Sequence, residues 1–180
     1  MKNLLFLLLL YIVCPVDMQA QETVQSRDRV ADIRQLYKEA HETMAYYDTL
    51  AQEGLPRHTM IIDNNYMASG AGGRQEVITF YYSNDFDENL SYDVFHTYFA
   101  VRKFNVAARD YYEEYLYDKN NDLRFCYMHC TDGSEARYYW TKGKLIKSQA
   151  TGEDLFDADF YYHVGTGMLK AFNAVNNIEY

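Results

Sequence analysis

Three pairs of turn-forming residues, Asn120-Asn121, Asp132-Gly133 and Lys142-Gly143, punctuate residues 109–148. An Asp-Gly pair suits a two-residue type I′ hairpin, which needs positive φ at both central positions. Asn tolerates the left-handed region better than most residues, and Lys-Gly is a weaker version of the same signal. The runs between the turns are rich in Tyr, Phe, Leu and Trp, which favour pleated structure. A chain punctuated this way is confined to an antiparallel meander, here four strands joined by three tight turns.

Counting outward from two-residue turns fixes an expected register. Leu116 faces Phe125 and Glu114 faces Tyr127 around the first turn. Phe125 faces Trp140, Tyr127 faces Tyr138 and His129 faces Ala136 around the second. Trp140 faces Leu145 around the third. Opposed residues share a face, and alternation carries that face along each strand. One face therefore collects Leu116, Leu123, Phe125, Tyr127, Tyr138, Trp140 and Leu145, the better core. The other collects Tyr111, Tyr115, Tyr117, Arg124, Cys126, Met128, Arg137, Tyr139 and Ile146. This tyrosine-rich face is either covered by a helix or partner, or open as an aromatic platform. A slip of one residue would invert the assignment, and a three-residue loop at Asn120-Asn121 would flip the first strand.

The flanking segments complete the outline. Val30, Ile33, Tyr37, Ala40, Met44 and Tyr47 recur at helical spacing, with Asp28 and Asp32 near the expected start and Gly54-Leu55-Pro56 as the stop. Residues 58–68, 76–83 and 92–103 read as strands, with Phe95, Phe99 and Val101 alternating inward. The glycine-rich stretch 69–74 lacks the Lys-Ser/Thr ending of a phosphate loop and reads as a hairpin connection. Asp85, Asp87, Asn89, Ser91 and Asp93 alternate like a calcium loop. Leu90 and His96 stand where that loop needs Gly and Glu, so an acidic turn is expected. Residues 153–176 regain helical spacing through Leu155, Phe156, Phe160, Val164, Met168, Leu169, Phe172 and Val175, with a break or bend near Gly165.

The apolar run from Leu4 to Val13 follows Lys2 and is too short for a bilayer span, which takes about 20 residues. Residues 1–20 therefore read as a signal peptide, with Ala20 at the cleavage point, and 21–180 as a single domain in the periplasm or outside the cell. Lipidation at Cys14 is disfavoured by the bulky Val13 before it. Loss of Lys2 and Asp17 leaves the net charge at −9, which argues against nucleic-acid binding and against adhesion to anionic lipid. Cys126 and Cys130 would sit about 13 Å apart along one strand, beyond disulfide reach. His129 would point to the face opposite both sulfurs, so no metal site is expected, and no cofactor motif is present.

Catalytic signatures are equally absent: there is no Gly-x-Ser-x-Gly elbow and no HExxH. One local conflict stands out. Glu114 falls on the core face opposite Tyr127, with Tyr112 and His129 one pair further along. A carboxylate there is costly unless paired, and beside His129 it would form an acid–base pair. If that end of the sheet opens to solvent, Glu114 is merely wet.

The segments Tyr115–Phe125 and Tyr138–Leu145, aromatic strand, Asn/Gly turn, Leu-bearing strand, resemble the hairpins of uncharacterised exported proteins of Bacteroidetes type. That resemblance implies no activity. The expected fold is α+β: a long N-terminal amphipathic helix packed on a curved antiparallel sheet of about six or seven strands, with a C-terminal helix. This outline is shared with cystatin-like and NTF2-like folds by element order alone. The expected function is a non-catalytic exported module binding a protein, peptide or glycan, an inhibitor-like protein being one form. Tyr111, Tyr115, Tyr117, Arg124, Arg137 and Tyr139 are the candidate ligand contacts. The alternatives are a hydrolase using Glu114 and His129, or an assembly subunit, for which a homodimer would serve.

Overall fold

A computed structural model describes residues 2–68, 72–88, 92–106, 108–152 and 156–176, with side chains from Arg27 onward apart from Ala68. It is an α+β fold. Helix α1 (Lys2–Gln52) precedes seven strands, β1 (Thr59–Ala68), β2 (Gly72–Asp87), β3 (Tyr92–Val106), β4 (Arg109–Tyr117), β5 (Leu123–Cys130), β6 (Glu135–Thr141) and β7 (Lys144–Thr151). Helix α2 (Ala158–Asn176) ends the described chain. The strands form one open antiparallel meander in sequence order.

α1 extends further toward the N-terminus than its apolar stripe predicts, so Asp28 and Asp32 lie within the helix. Its end is as expected. Gly54 takes φ +87°, Leu55 N donates to Leu50 O at 3.1 Å, and Gly54 N donates to Ala51 O at 3.1 Å. This is the paired closing pattern that a left-handed glycine permits. α2 is capped by Asp157, whose carboxylate accepts from the Phe160 N–H at 2.8 Å. It runs unbroken through Gly165, against the expected bend. Val175, expected on its buried stripe, is 61 % exposed, while Tyr161 is buried. Leu155 lies outside the described residues.

Each helix packs on one face of the sheet. Val30, Ile33 and Ala40 of α1 pack with Phe99, Leu116, Phe125 and Tyr139. Tyr161, Met168, Leu169 and Phe172 of α2 pack with Phe80, Tyr115, Tyr117, Leu123, Cys126, Met128, Tyr138 and Trp140. The expected single core face is therefore corrected to two cores. Tyr138, Trp140 and Leu123 belong with Cys126, and Tyr139 belongs with Phe125.

The turns explain the exchange. Cys130 N donates to Ser134 O at 2.9 Å across Thr131-Asp132-Gly133, and Gly133 N donates to Cys130 O at 3.0 Å with Gly133 at φ +89°. This is a three-residue loop with its glycine in the left-handed position, not a two-residue type I′ turn. The extra residue shifts β6 by one, so Phe125 pairs with Tyr139 and Tyr127 with Arg137. The first turn is also a three-residue loop, with Asn121 N donating to Asp118 O at 2.9 Å and Asn121 at φ +61°. There a bulge beside Leu116 and Tyr117 absorbs the shift, so the expected Leu116–Phe125 and Glu114–Tyr127 pairs hold. Lys142 and Gly143 take φ +49° and +74°, and Trp140 faces Leu145 as counted. A further bulge, beside Tyr81 and Tyr82, separates Phe95 from Phe99, which consequently face opposite helices.

Candidate ligand groove

α1 lies across only part of its sheet face and leaves a groove beside it. The walls are Ile33, Arg34 and Tyr37 of α1, Phe125 and Tyr127 of β5, and Arg137 and Tyr139 of β6, around a cavity of about 440 Å³. Tyr37 enters the groove because it sits on the apolar stripe of α1, its ring edge-on to Phe125 at 5.4 Å and to Phe99 at 5.8 Å. The Arg137 guanidinium lies over the Tyr127 ring at 4.8 Å, and Phe125 is tilted against Tyr139 at 4.9 Å. Arg137 Nη1 donates to Glu135 Oε2 at 3.0 Å, and Tyr127 OH donates to the other oxygen at 3.2 Å. These contacts hold the Glu135 carboxyl below its ordinary range, Arg137 contributing first. Arg34 reaches no polar partner among the described residues. The groove thus offers aromatic surface and two guanidinium groups against one carboxylate, Glu135.

Glu114 lies behind this wall and is 6 % exposed. Its two oxygens accept from Tyr37 OH at 2.7 Å and Tyr112 OH at 2.6 Å. Burial, and then the bond to Glu114, push both phenols above their ordinary pKa. The carboxylate is satisfied by two neutral donors rather than by a cation. His129 is not joined to it. His129 Nδ1 instead stands 3.9 Å from Glu135 Oε1, at the edge of a second hollow of about 590 Å³ that Lys103, Asp110, Tyr111 and Tyr112 also line. The acid–base pair expected of Glu114 and His129 is therefore not assembled, although strand order places them one pair apart.

The six candidate ligand contacts do not share one surface. Tyr115 and Tyr117 are buried beneath α2, Tyr115 OH donating to Glu113 at 2.7 Å and Tyr117 OH to Gly165 O at 2.8 Å. Tyr111 is stacked on Phe104, ring centroids 4.8 Å apart and 4° from parallel. Arg124, the extra residue of the β4–β5 bulge, donates to Trp140 O at 3.2 Å and to Asp118 at 2.8 Å, tying two turns together. Only Arg137 and Tyr139 reach the groove. The open tyrosine platform is replaced by a helix-covered face, the other arrangement that its composition permits. Ile33, Arg34, Tyr37, Phe125 and Tyr127 were not legible as contacts. Their role depends on where α1 lies and on the one-residue shift of β6, and neither leaves a local signal.

The α2 side holds a buried ionic cluster that the sequence does not announce. Arg102 bridges Glu76 at 2.6 Å and Glu113 at 3.0 Å, with its guanidinium 4.1 Å from the Phe104 ring centroid. It ties β2, β3 and β4 together, and burial nonetheless pushes the Glu113 carboxyl up. Cys126 and Cys130 are both buried and unpaired, and burial raises the Cys126 thiol, which disfavours the reactive thiolate. Among the described residues no cluster of His, Cys, Asp and Glu is arranged to hold a metal ion. None of their helices is long and apolar enough to cross a membrane. Asp85 and Asp87 lie in β2 and Asp93 in β3, so the acidic stretch flanks a hairpin; Asn89 and Ser91 lie outside the described residues. No protein-family model, no curated protein and no solved structure matches this chain.

Proposed function

We propose that this protein is a non-catalytic exported binding module, and that the groove between α1 and strands β5 and β6 receives its ligand. Export rests on the apolar run from Leu4 to Val13. The observation that carries the binding reading is the aromatic groove with Arg34, which has no polar partner among the described residues, at one wall and Arg137 over Tyr127 at the other. Aromatic faces bind flat apolar surfaces, and guanidinium groups bind carboxylates through paired hydrogen bonds. The fitting ligand is a peptide or glycan that combines a flat apolar portion with a carboxylate. A preformed concave site with few, well-placed polar groups is the usual form of such a receptor.

Isothermal titration calorimetry of the full chain against trigalacturonate and against an acidic, aromatic tetrapeptide distinguishes the two ligand sources. Binding of one of them is expected. The double variant Arg34→Ala/Arg137→Ala is expected to weaken it about tenfold or more, since a charge-assisted hydrogen bond contributes about 1.5–3 kcal/mol. Absence of binding to both probes, or an affinity that the double variant leaves unchanged, overturns the assignment.

A further inference from the structure

Among the described residues, the open sheet leaves β1 and β7 each with one row of backbone groups that no neighbouring strand pairs. The two edges are built differently. β7 carries Lys144 and Lys147, and charge along an edge opposes further strand pairing. β1 contains no Lys, Arg or Pro, and its one acid, Asp63, is held by Asn65 Nδ2 at 2.7 Å. Its exposed apolar side chains lie toward both ends: Ile61 is 62 % exposed, Tyr66 40 % and Met67 79 %.

Two copies of β1 can join edge to edge only about a twofold axis perpendicular to the sheet, and that axis must pass beside one residue, because opposed side chains share a face. Centring on Asn64 opposes Ile61 of one copy to Met67 of the other on one face. On the other face it opposes Ile62 to Tyr66. Asp63 meets Asn65. The neighbouring choices fail. Centring on Asp63 sets two carboxylates against each other, and centring on Asn65 sets Asp63 against Met67 and carries Ile61 past the end of its partner strand. β1 is self-complementary in one register.

We propose that β1 is the interface of a homodimer in which two sheets join across Asn64. The surface is at the edge of the sheet away from β5 and β6 and does not depend on the groove. Stable interfaces bury about 1,200–2,000 Å². A joint made largely by one strand from each copy falls toward the small end, so the dimer forms in a concentration-dependent manner.

Analytical ultracentrifugation of the full chain is expected to show the mass rising from one chain toward two with concentration. Ile61→Lys/Met67→Lys sets like charges against each other in the joint and is expected to return the mass to one chain. Its far-UV circular dichroism should match the parent, since both side chains are exposed. A second variant reports the register. In a Cys14→Ser background, Asn64→Cys places two Cα atoms about 4.5–5.5 Å apart, within disulfide reach. It is expected to give a covalent dimer on mild oxidation. Tyr66→Cys, whose mates would stand about 14 Å apart, is expected to give none. A mass of one chain at every concentration overturns the proposal. So does a dimer that survives the lysine pair, or one in which Asn64→Cys fails to cross-link or Tyr66→Cys succeeds.

Discussion

Gly165 and Gly167 are two residues apart in α2 and do opposite work. A Cβ added at Gly165 would lie 2.7 Å from Tyr115 Cδ1 and 2.8 Å from Leu123 Cδ2, whereas one at Gly167 would meet nothing within 4 Å. The absent side chain at Gly165 lets the helix approach closely enough for its carbonyl to accept the Tyr117 hydroxyl. Gly165→Ala is therefore expected to destabilise by about 1–3 kcal/mol through overpacking. Gly167→Ala is expected to stabilise by up to about 1 kcal/mol through helix propensity. Urea unfolding of both variants checks the pair, and equal signs would refute the close-packing account. In the sequence the two glycines look alike, because propensity is local and the steric demand comes from strands some fifty residues earlier. Glu114 is the reverse case. Its awkward place on a core face was legible, but its Tyr37 partner arrives from α1, 77 residues away.

At the scale of elements, α1 gains its position from an apolar stripe that was readable from period alone. Val30, Ile33 and Ala40 are all buried as the spacing requires. Ile33 is 1 % exposed and also forms one wall of the groove, so it links stability to the candidate site. Ile33→Ala is expected to cost about 2–5 kcal/mol. Hydrogen exchange should show faster opening of α1 than of β4 and β5. Uniform acceleration in all three would mean that the helix does not unfasten by itself. The strands were legible as well, because aromatic runs bounded by turn residues leave few other arrangements. Register was less so. The same Asp-Gly pair suits a two-residue turn or the end of a three-residue loop, and the choice moves Trp140 from one face to the other. The bulge beside Leu116 compensated for one such extra residue, while nothing compensated at Asp132.

For the whole molecule, the main consequence is tyrosine burial between two helices and a sheet. Among the described residues, nine tyrosines have phenols pushed upward, with burial the first cause in each. A phenol whose pKa is higher folded than unfolded favours the folded state while both states are protonated. That contribution is fully present below the ordinary pKa of 10.0 and is lost as pH rises from there toward the folded values. Stability is expected to fall steeply above about pH 10, with tyrosinate absorbance appearing together with the loss of tertiary circular dichroism. Nine phenols that ionise progressively in an intact fold would contradict the burial pattern.

The sequence by itself determined the α+β class, the meander order and the apolar stripe of α1. These follow from periodicity and turn chemistry, which act over a few residues. Tertiary structure decided which strand face meets which helix, that Glu114 is held by Tyr37 and Tyr112, and that Arg34 and Arg137 face one groove. Side-chain direction in a strand reverses with every residue, so loop lengths and bulges control those meetings. Their geometry is settled only when both faces of the sheet are packed at once.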